Sequence, residues 1–245
     1  IDLVPYADTR AGTLLGMRYS GAGLYVSSDG GRTATLLTDA APFDRSDFGM
    51  ARMWRLSNDV IIFRPAQTEY SGQLWYSADD GATWARCLDD TGEPLLFPHT
   101  YIWSAPDEAV QGSRTGPATF SVYSHHGTTI LLTYSGGFHE GDTNRPYCAR
   151  WIYRSTDGVH WSMVHERQRD KLKHFHAPGY HVASGRWLAA FGDSPRHGVL
   201  YSDDDGVTWH ELFLPDHYDI QPVAWCDFGD TDEMLVGSDR NHSLF

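Results

Sequence analysis

The sequence predicts an all-β fold made of one repeated unit, and three observations carry that prediction. Four short motifs recur along the chain: SSDGGRTA (Ser27 to Ala34), SADDGATW (Ser77 to Trp84), STDGVHW (Ser155 to Trp161) and SDDDGVTW (Ser202 to Trp209). A strand-like run precedes each one, GLYV, QLWY, WIYR or VLYS, and a second such as TWARC or TWHEL follows. Apolar, aromatic and β-branched residues on both sides of an Asp/Gly cluster describe a hairpin. No long window carries the 3.6-residue apolar period of an amphipathic helix. Recurrence on this scale means that one supersecondary unit has been copied and stacked.

Each position of the motif has its own chemistry. The Asp carboxylate accepts backbone N–H groups that a tight turn leaves unpaired, and Gly takes the positive φ that other residues resist. Thr adds a local hydroxyl bond, and Trp offers a large apolar plate to bury against the next repeat. Asp29, Asp79, Asp157 and Asp204 are therefore expected to be structural.

The pattern S-x-D-x-G-x-T-W resembles the Asp-box, or BNR repeat, of sialidase-like β-propellers. Three copies keep its spacing through Gly31, Gly81 and Gly206. The third is one residue shorter, with Gly158 directly after Asp157 and His160 in the Thr position, and the first has Ala34 in place of Trp. The resemblance implies an all-β, sialidase-like β-propeller. In that family the boxes sit on the outer rim, away from the active site, so they imply architecture without chemistry.

Taken as one domain over residues 1–245, the chain divides into about five blades, near 1–40, 49–90, 99–166, 173–214 and 220–245. Each of the first four fits an inner, a second and a third strand, the box turn, then an outer strand. The fifth stops at Phe245, about where its turn should begin. Three alternatives stay open: Ile1 to Tyr6 supplies the missing strand, a partner chain supplies it, or the chain is a fragment of a six- or seven-bladed propeller.

Composition agrees with many short strands joined by tight turns: 245 residues include nine Trp, thirteen Tyr, eleven Phe and twenty-four Gly. Thirty-two acidic against nineteen basic residues give a net charge of −13, which disfavours the phosphate backbone of nucleic acids. No apolar run is long enough to span a bilayer and no basic-then-apolar leader opens the chain, so no membrane span is expected. A removed signal peptide would leave no trace, and an extracellular or secreted location is the expectation. Cys87, Cys148 and Cys226 are dispersed, lack metal-ligand spacing and are expected to be buried thiols.

Uneven spacing isolates the candidate site. The second and third motifs begin 78 residues apart, against 50 and 47 for the other neighbours. The surplus lies in residues 89–117 and in GGFHEGDTNRP, residues 136–146. Long loops on a rigid scaffold carry function more often than its strands do.

After this insertion comes KHFHAPGYHVASGRWLAAFGD, Lys173 to Asp193. Side chains two apart on a strand share a face, so His174 and His176 are expected to point the same way. The segment resembles a subset of Asp-box proteins with an H-x-H strand, a Tyr, a small turn and a Gly-Asp pair, here His174, His176, Tyr180, Gly192 and Asp193. That resemblance, through VGSD (Val236 to Asp239), implies kinship with proteins that act on or bind carbohydrate.

The candidate catalytic residues are His174, His176, Tyr180 and Asp193. A His pair beside Tyr supplies a general base and acid suited to β-elimination of a uronate-containing glycan. Glycoside hydrolysis would instead draw two carboxylates from Asp193, Glu140, Asp142 and Asp239. Candidate substrate contacts are Arg52, Arg55, Trp103, Tyr134, Phe138, Arg150 and Asp239. No cofactor is expected; a divalent metal held with a third ligand from His125, His126, His139 or Asp193 is the alternative. In the plainest reading the imidazoles only bond to neighbouring blades.

A catalytic sialidase is not supported. FRPA, residues 63–66, resembles the family's early Arg-Ile-Pro motif poorly, and no Tyr/Glu nucleophile pair stands out. The expectation is a propeller that processes or recognises glycans, as a glycoside hydrolase or polysaccharide lyase, with its site in the central funnel built from His174, His176, Tyr180 and the blade-three loops. The alternative is a non-catalytic binding or assembly module of secreted, cell-surface or viral receptor-binding type.

Overall fold

The structure, a computed structural model, describes residues 3–18, 22–43, 52–65, 73–97, 119–134, 151–167, 174–192, 197–212, 221–229 and 231–238. All regular structure among these residues is β, in five antiparallel sheets. The first holds β1 (Leu3–Asp8), β2 (Leu14–Arg18), β3 (Leu24–Ser27) and β4 (Thr35–Thr38). The second holds β5 (Arg52–Arg55), β6 (Ile61–Arg64), β7 (Trp75–Ser77) and β8 (Ala85–Arg86). The third holds β9 (Thr119–His125), β10 (Thr128–Tyr134), β11 (Trp151–Ser155) and β12 (Ser162–Glu166). The fourth holds β13 (His174–His181), β14 (Arg186–Gly192), β15 (Gly198–Ser202) and β16 (His210–Leu212). The fifth pairs β17 (Pro222–Asp227) with β18 (Met234–Ser238). Within every sheet the spatial order is the sequence order, and no helix occurs among the described residues, so none there is long and apolar enough to cross a membrane.

Position within a sheet explains composition. Second strands lie between two partners and are covered on both faces, so β6 (IIFR) is wholly buried and β14 (RWLAAFG) nearly so. Fourth strands have one free edge and read polar and exposed, as in β8 and β16.

The repeat motifs form the turns between third and fourth strands, and their bonds recur. In the first, Ser27 Oγ donates to Asp29 (2.9 Å) and accepts the Gly31 N–H (2.8 Å), while Asp29 accepts the Thr33 N–H (2.9 Å) and hydroxyl (2.7 Å). Ser77, Asp79, Gly81 and Thr83 repeat the arrangement, as do Ser202, Asp204, Gly206 and Thr208. In the shortened third copy His160 takes over from Thr, its Nδ1 lying 2.7 Å from Asp157 Oδ2. Trp84, Trp161 and Trp209 each donate their indole N–H to the carbonyl of the motif glycine, a bond that Ala34 lacks.

These carboxylates also make the turns acid-sensitive. The Thr33 N–H and then its hydroxyl hold Asp29 down to about 2, and the Thr208 hydroxyl and N–H do the same for Asp204. Each folded-state value lies below the model-peptide value of 3.8, so the stabilisation is present above that pH and is lost as pH falls through about 2. The urea midpoint should therefore fall steeply between about pH 4 and pH 2, and Asp204→Asn should flatten that fall. An unchanged pH profile in the variant would contradict this role.

The chain divides into two compact units, one of residues 1–99, 109–116 and 156–161, the other of 100–108, 117–155 and 162–245. In the first, Leu15, Met17, Leu24, Phe43, Met53, Ile61 and Phe63 form the core, with Phe43 4.7 Å from Phe63 and edge-on to Trp84. In the second, Ile130, Leu132, Ile152, Phe175, Trp187, Ala189, Phe191, Leu200 and Trp209 form it.

Two of the motifs also join their sheet to the one before it. Asp80 accepts the Arg10 N–H (3.2 Å) in the first unit. In the second, Asp205 accepts the Thr128 hydroxyl (2.7 Å), Arg154 Nη2 (2.6 Å) and the Trp187 indole N–H (3.2 Å). Both Asp80 and Asp205 have positive φ, 55° and 60°. A Cβ on Gly206 would lie 2.6 Å from Ile130 Cδ1, so the turn sits directly on β10 of the preceding sheet.

Candidate functional site

Inside the second unit β13 is a first strand that packs against β9, β10 and β17. Its two ends carry different chemistry, because about 3.3 Å per residue places Tyr180 about 13 Å along the strand from His176.

At the starting end His176 is buried, and its Nδ1 lies 2.8 Å from the Pro222 carbonyl oxygen on β17. A carbonyl oxygen only accepts, so Nδ1 carries the hydrogen. A Cβ on Gly192 would stand 2.0 Å from His176 Cε1, 2.7 Å from Nε2 and 2.8 Å from Gln221 Cγ, so only glycine fits between these two side chains. The Gln221 N–H donates in turn to Ser238 Oγ at 3.1 Å. The starts of β13 and β17 and the end of β14 thus meet around this imidazole, and the end of β18 joins them through its pairing with Pro222 and its bond to Gln221.

At the far end Tyr180 stacks on His125, with ring centroids 4.1 Å apart and planes at 27°. His126 meets His125 edge-on at 4.0 Å, and Tyr180 meets buried Trp187 edge-on at 5.1 Å. Burial first, and His126 second, pull the His125 imidazole below its ordinary value, against the opposing pull of Asp227. Burial pushes the Tyr123 phenol up.

The structure brings Tyr180 together with His125 and keeps it apart from His176. Tyr134 ends β10 and His174 opens β13, and their side chains lie outside the described atoms. Asp193, Trp103, Phe138, Arg150 and Asp239 lie outside the described residues, as do Glu140, Asp142, His139 and Cys148. Gly192 and Ser238, which end β14 and β18, immediately precede Asp193 and Asp239 in the sequence.

Arg52 and Arg55 belong to the first unit. Arg52 is exposed, opposite Arg64 in the β5–β6 register, and burial followed by the charge of Arg52 brings Arg64 down to about 10. Arg55 spends its guanidinium on Asp59, on Asp8 (3.4 Å) and on the Thr9 carbonyl (2.9 Å). Cys87 is buried, with its thiol pushed up by desolvation, whereas Cys226 on β17 is exposed, contrary to the expectation of a buried thiol. Among the described residues no three His, Cys, Asp or Glu side chains are placed to hold a metal ion. Gln221 carries no motif and escapes a sequence reading; only the tertiary fold brings it to Gly192 and to Ser238 of the VGSD stretch.

No protein-family model matches the sequence, and no curated protein matches it either. Solved structures do. An α-L-arabinofuranosidase from Fusarium graminearum is 14% identical, with a TM-score of 0.50 over 97% of this chain and 75% of its own. Virginiamycin B lyase from Staphylococcus aureus is 10% identical, with a TM-score of 0.53 over 98% of this chain and 64% of its own. The GH74 xyloglucanase from Xanthomonas campestris is 16% identical, with a TM-score of 0.54 over 100% of this chain and 36% of its own. This chain therefore spans about a third to three quarters of the lengths of the proteins it resembles. With five sheets in sequential order, the likeness defines the fold as a β-propeller, each sheet a blade.

Proposed function

We propose that this chain is a carbohydrate-active propeller of the Asp-box type, with its glycan site where β13 begins and β14 and β18 end. The observation that carries the reading is His176, held in one tautomer by Pro222 against a glycine that no other residue replaces without a clash. Two of the similar structures are an arabinofuranosidase and a xyloglucanase, and the motif turns have the bonding expected of Asp-boxes.

In this reading Nε2 of His176 is the base. It takes a proton from a sugar carbon beside a uronate carboxylate, and the C–H electron pair becomes a C=C bond as the glycosidic C–O bond breaks and its oxygen takes up a proton; in hydrolysis it takes the proton of a water that attacks the anomeric carbon as the same C–O bond breaks. His174, Asp193 and Asp239 then stand as partners for the leaving group and the substrate, joined by Arg150, Trp103, Tyr134 and Phe138. No cofactor enters the scheme, and the setting is extracellular, where such glycans are met.

Burial of His176 favours a second reading, in which the ring packs blades together and the propeller binds glycan without turnover. The two separate in one experiment: the parent and His176→Gln are incubated with a panel of neutral and uronate-containing polysaccharides. Reducing ends, unsaturated uronate and binding are followed together. Turnover by the parent that drops at least about 100-fold in a folded variant supports the base. Binding without turnover supports the second reading, and neither binding nor turnover contradicts both.

A further inference from the structure

We propose that the His125–Tyr180 stack is an acid-sensitive latch, in which protonation of His125 drives its ring off Tyr180 and uncovers the aromatic face at this end of β13. The inference stands apart from the glycan reading, since it concerns the opposite end of the strand.

The geometry carries it. His125 stacks on Tyr180, which meets Trp187 edge-on, and Trp187 and Tyr180 belong to the core packing of the second unit. Its Nε2 is shut off from solvent and has no hydrogen-bond partner. A neutral ring tolerates this with one nitrogen as an idle acceptor. A protonated ring has two N–H donors and a charge, and a buried donor without an acceptor is strongly disfavoured.

The groups around His125 do not compensate the charge. On its own strand and turn stand Tyr123, a neutral phenol, and His126, whose ring touches it and adds like charge when protonated. From β13 comes Tyr180; the next residue, His181, bonds instead to Ser184, with Nδ1 2.7 Å from its Oγ. From β17 comes Asp227, while the exposed Cys226 acts on Tyr123. Asp227 is the one carboxylate among the described residues that acts on the ring, and its oxygens already accept the Val182 and Gly229 N–H groups. A cation over the face of Tyr180 gains some attraction. Burial and His126 outweigh it, in line with the downward pull on His125.

A ring in water keeps the ordinary imidazole value near about 6.5, so falling pH shifts the population toward the released state. His126 and Gly127, both at positive φ (46° and 85°), form the turn on which the ring would swing.

Nuclear magnetic resonance tests this on the intact chain, by following the His125 Cε1 proton and the Tyr180 ring between about pH 8 and pH 5. His125→Phe assigns the imidazole signal and keeps a stacked ring that cannot titrate. The latch requires a His125 midpoint below that of free imidazole, Tyr180 shifts with the same midpoint, and loss of those shifts in the variant. A midpoint at or above the ordinary value, a Tyr180 ring indifferent to pH, or an unchanged response in His125→Phe overturns it. Should that variant not fold, His126→Ala decides: it must raise the His125 midpoint, and an unmoved midpoint counts against the latch.

Discussion

Gly192→Ala is expected to destabilise the protein by about 3 kcal/mol, combining overpacking with loss of a buried hydrogen bond. The new methyl group would stand 2.0 Å from His176 Cε1 and 2.8 Å from Gln221 Cγ, and Pro222 holds the ring by its Nδ1. Urea unfolding gives the size of the effect, and the pairing gives its cause. Removing the ring makes room for the methyl, so Gly192→Ala in a His176→Gly background should be at least about 1 kcal/mol less damaging than in the parent. Simple additivity would show that the clash is not with the imidazole. Any activity or binding at this end should fall with Gly192→Ala as sharply as with His176→Gln.

Asp205→Ala should cost a similar amount, about 3 kcal/mol, by a different route. Three donors lose their acceptor at once: Thr128, Arg154 and the indole of Trp187, a side chain wholly withdrawn from solvent. Alanine also has to adopt the left-handed backbone of this position, where φ is 60°, at about 1 kcal/mol. Asp205→Asn keeps one carbonyl acceptor and tolerates that backbone, so it should recover roughly half of the loss. If Asn and Ala proved equally damaging, the charge would matter and the hydrogen bonds would not. Asp204→Ala gives a useful contrast, since its bonds stay within its own turn.

The turns are legible in the sequence because each of their internal bonds joins residues no more than four apart. Ser27, Asp29, Gly31 and Thr33 announce their partners by spacing alone, and even the replacement of Thr by His160 can be read as an imidazole in the same place. The all-β class follows from the same local rules. Asp205 shows where such reading stops: its spacing matches that of Asp80, yet its partners Thr128 and Arg154 lie 77 and 51 residues away.

The candidate site was harder to read for a related reason. Alternation along β13 joins His174, His176 and Tyr180 into one string, but the pairing with β14 shifts between Phe175 and Pro178, and four residues of extended chain carry Tyr180 to the other end. Its stacking partner His125 belongs to β9, and the carbonyl that orients His176 comes from Pro222 on β17. Both contacts depend on which first strands become neighbours, and no local pattern encodes that. The excess of Asp over Lys and Arg is partly explained as well, since Asp29, Asp79, Asp157 and Asp204 accept turn hydrogen bonds.

Sequential strand order has a consequence for how the chain is made. Every sheet pairing joins consecutive strands, so each hairpin can close as soon as its second strand leaves the ribosome. The contacts from Asp80 to Arg10 and from Asp205 to Thr128 and Arg154 point backward along the chain, from a later blade to an earlier one. For these two turns, at Asp80 and Asp205, the later partner meets residues synthesised before it.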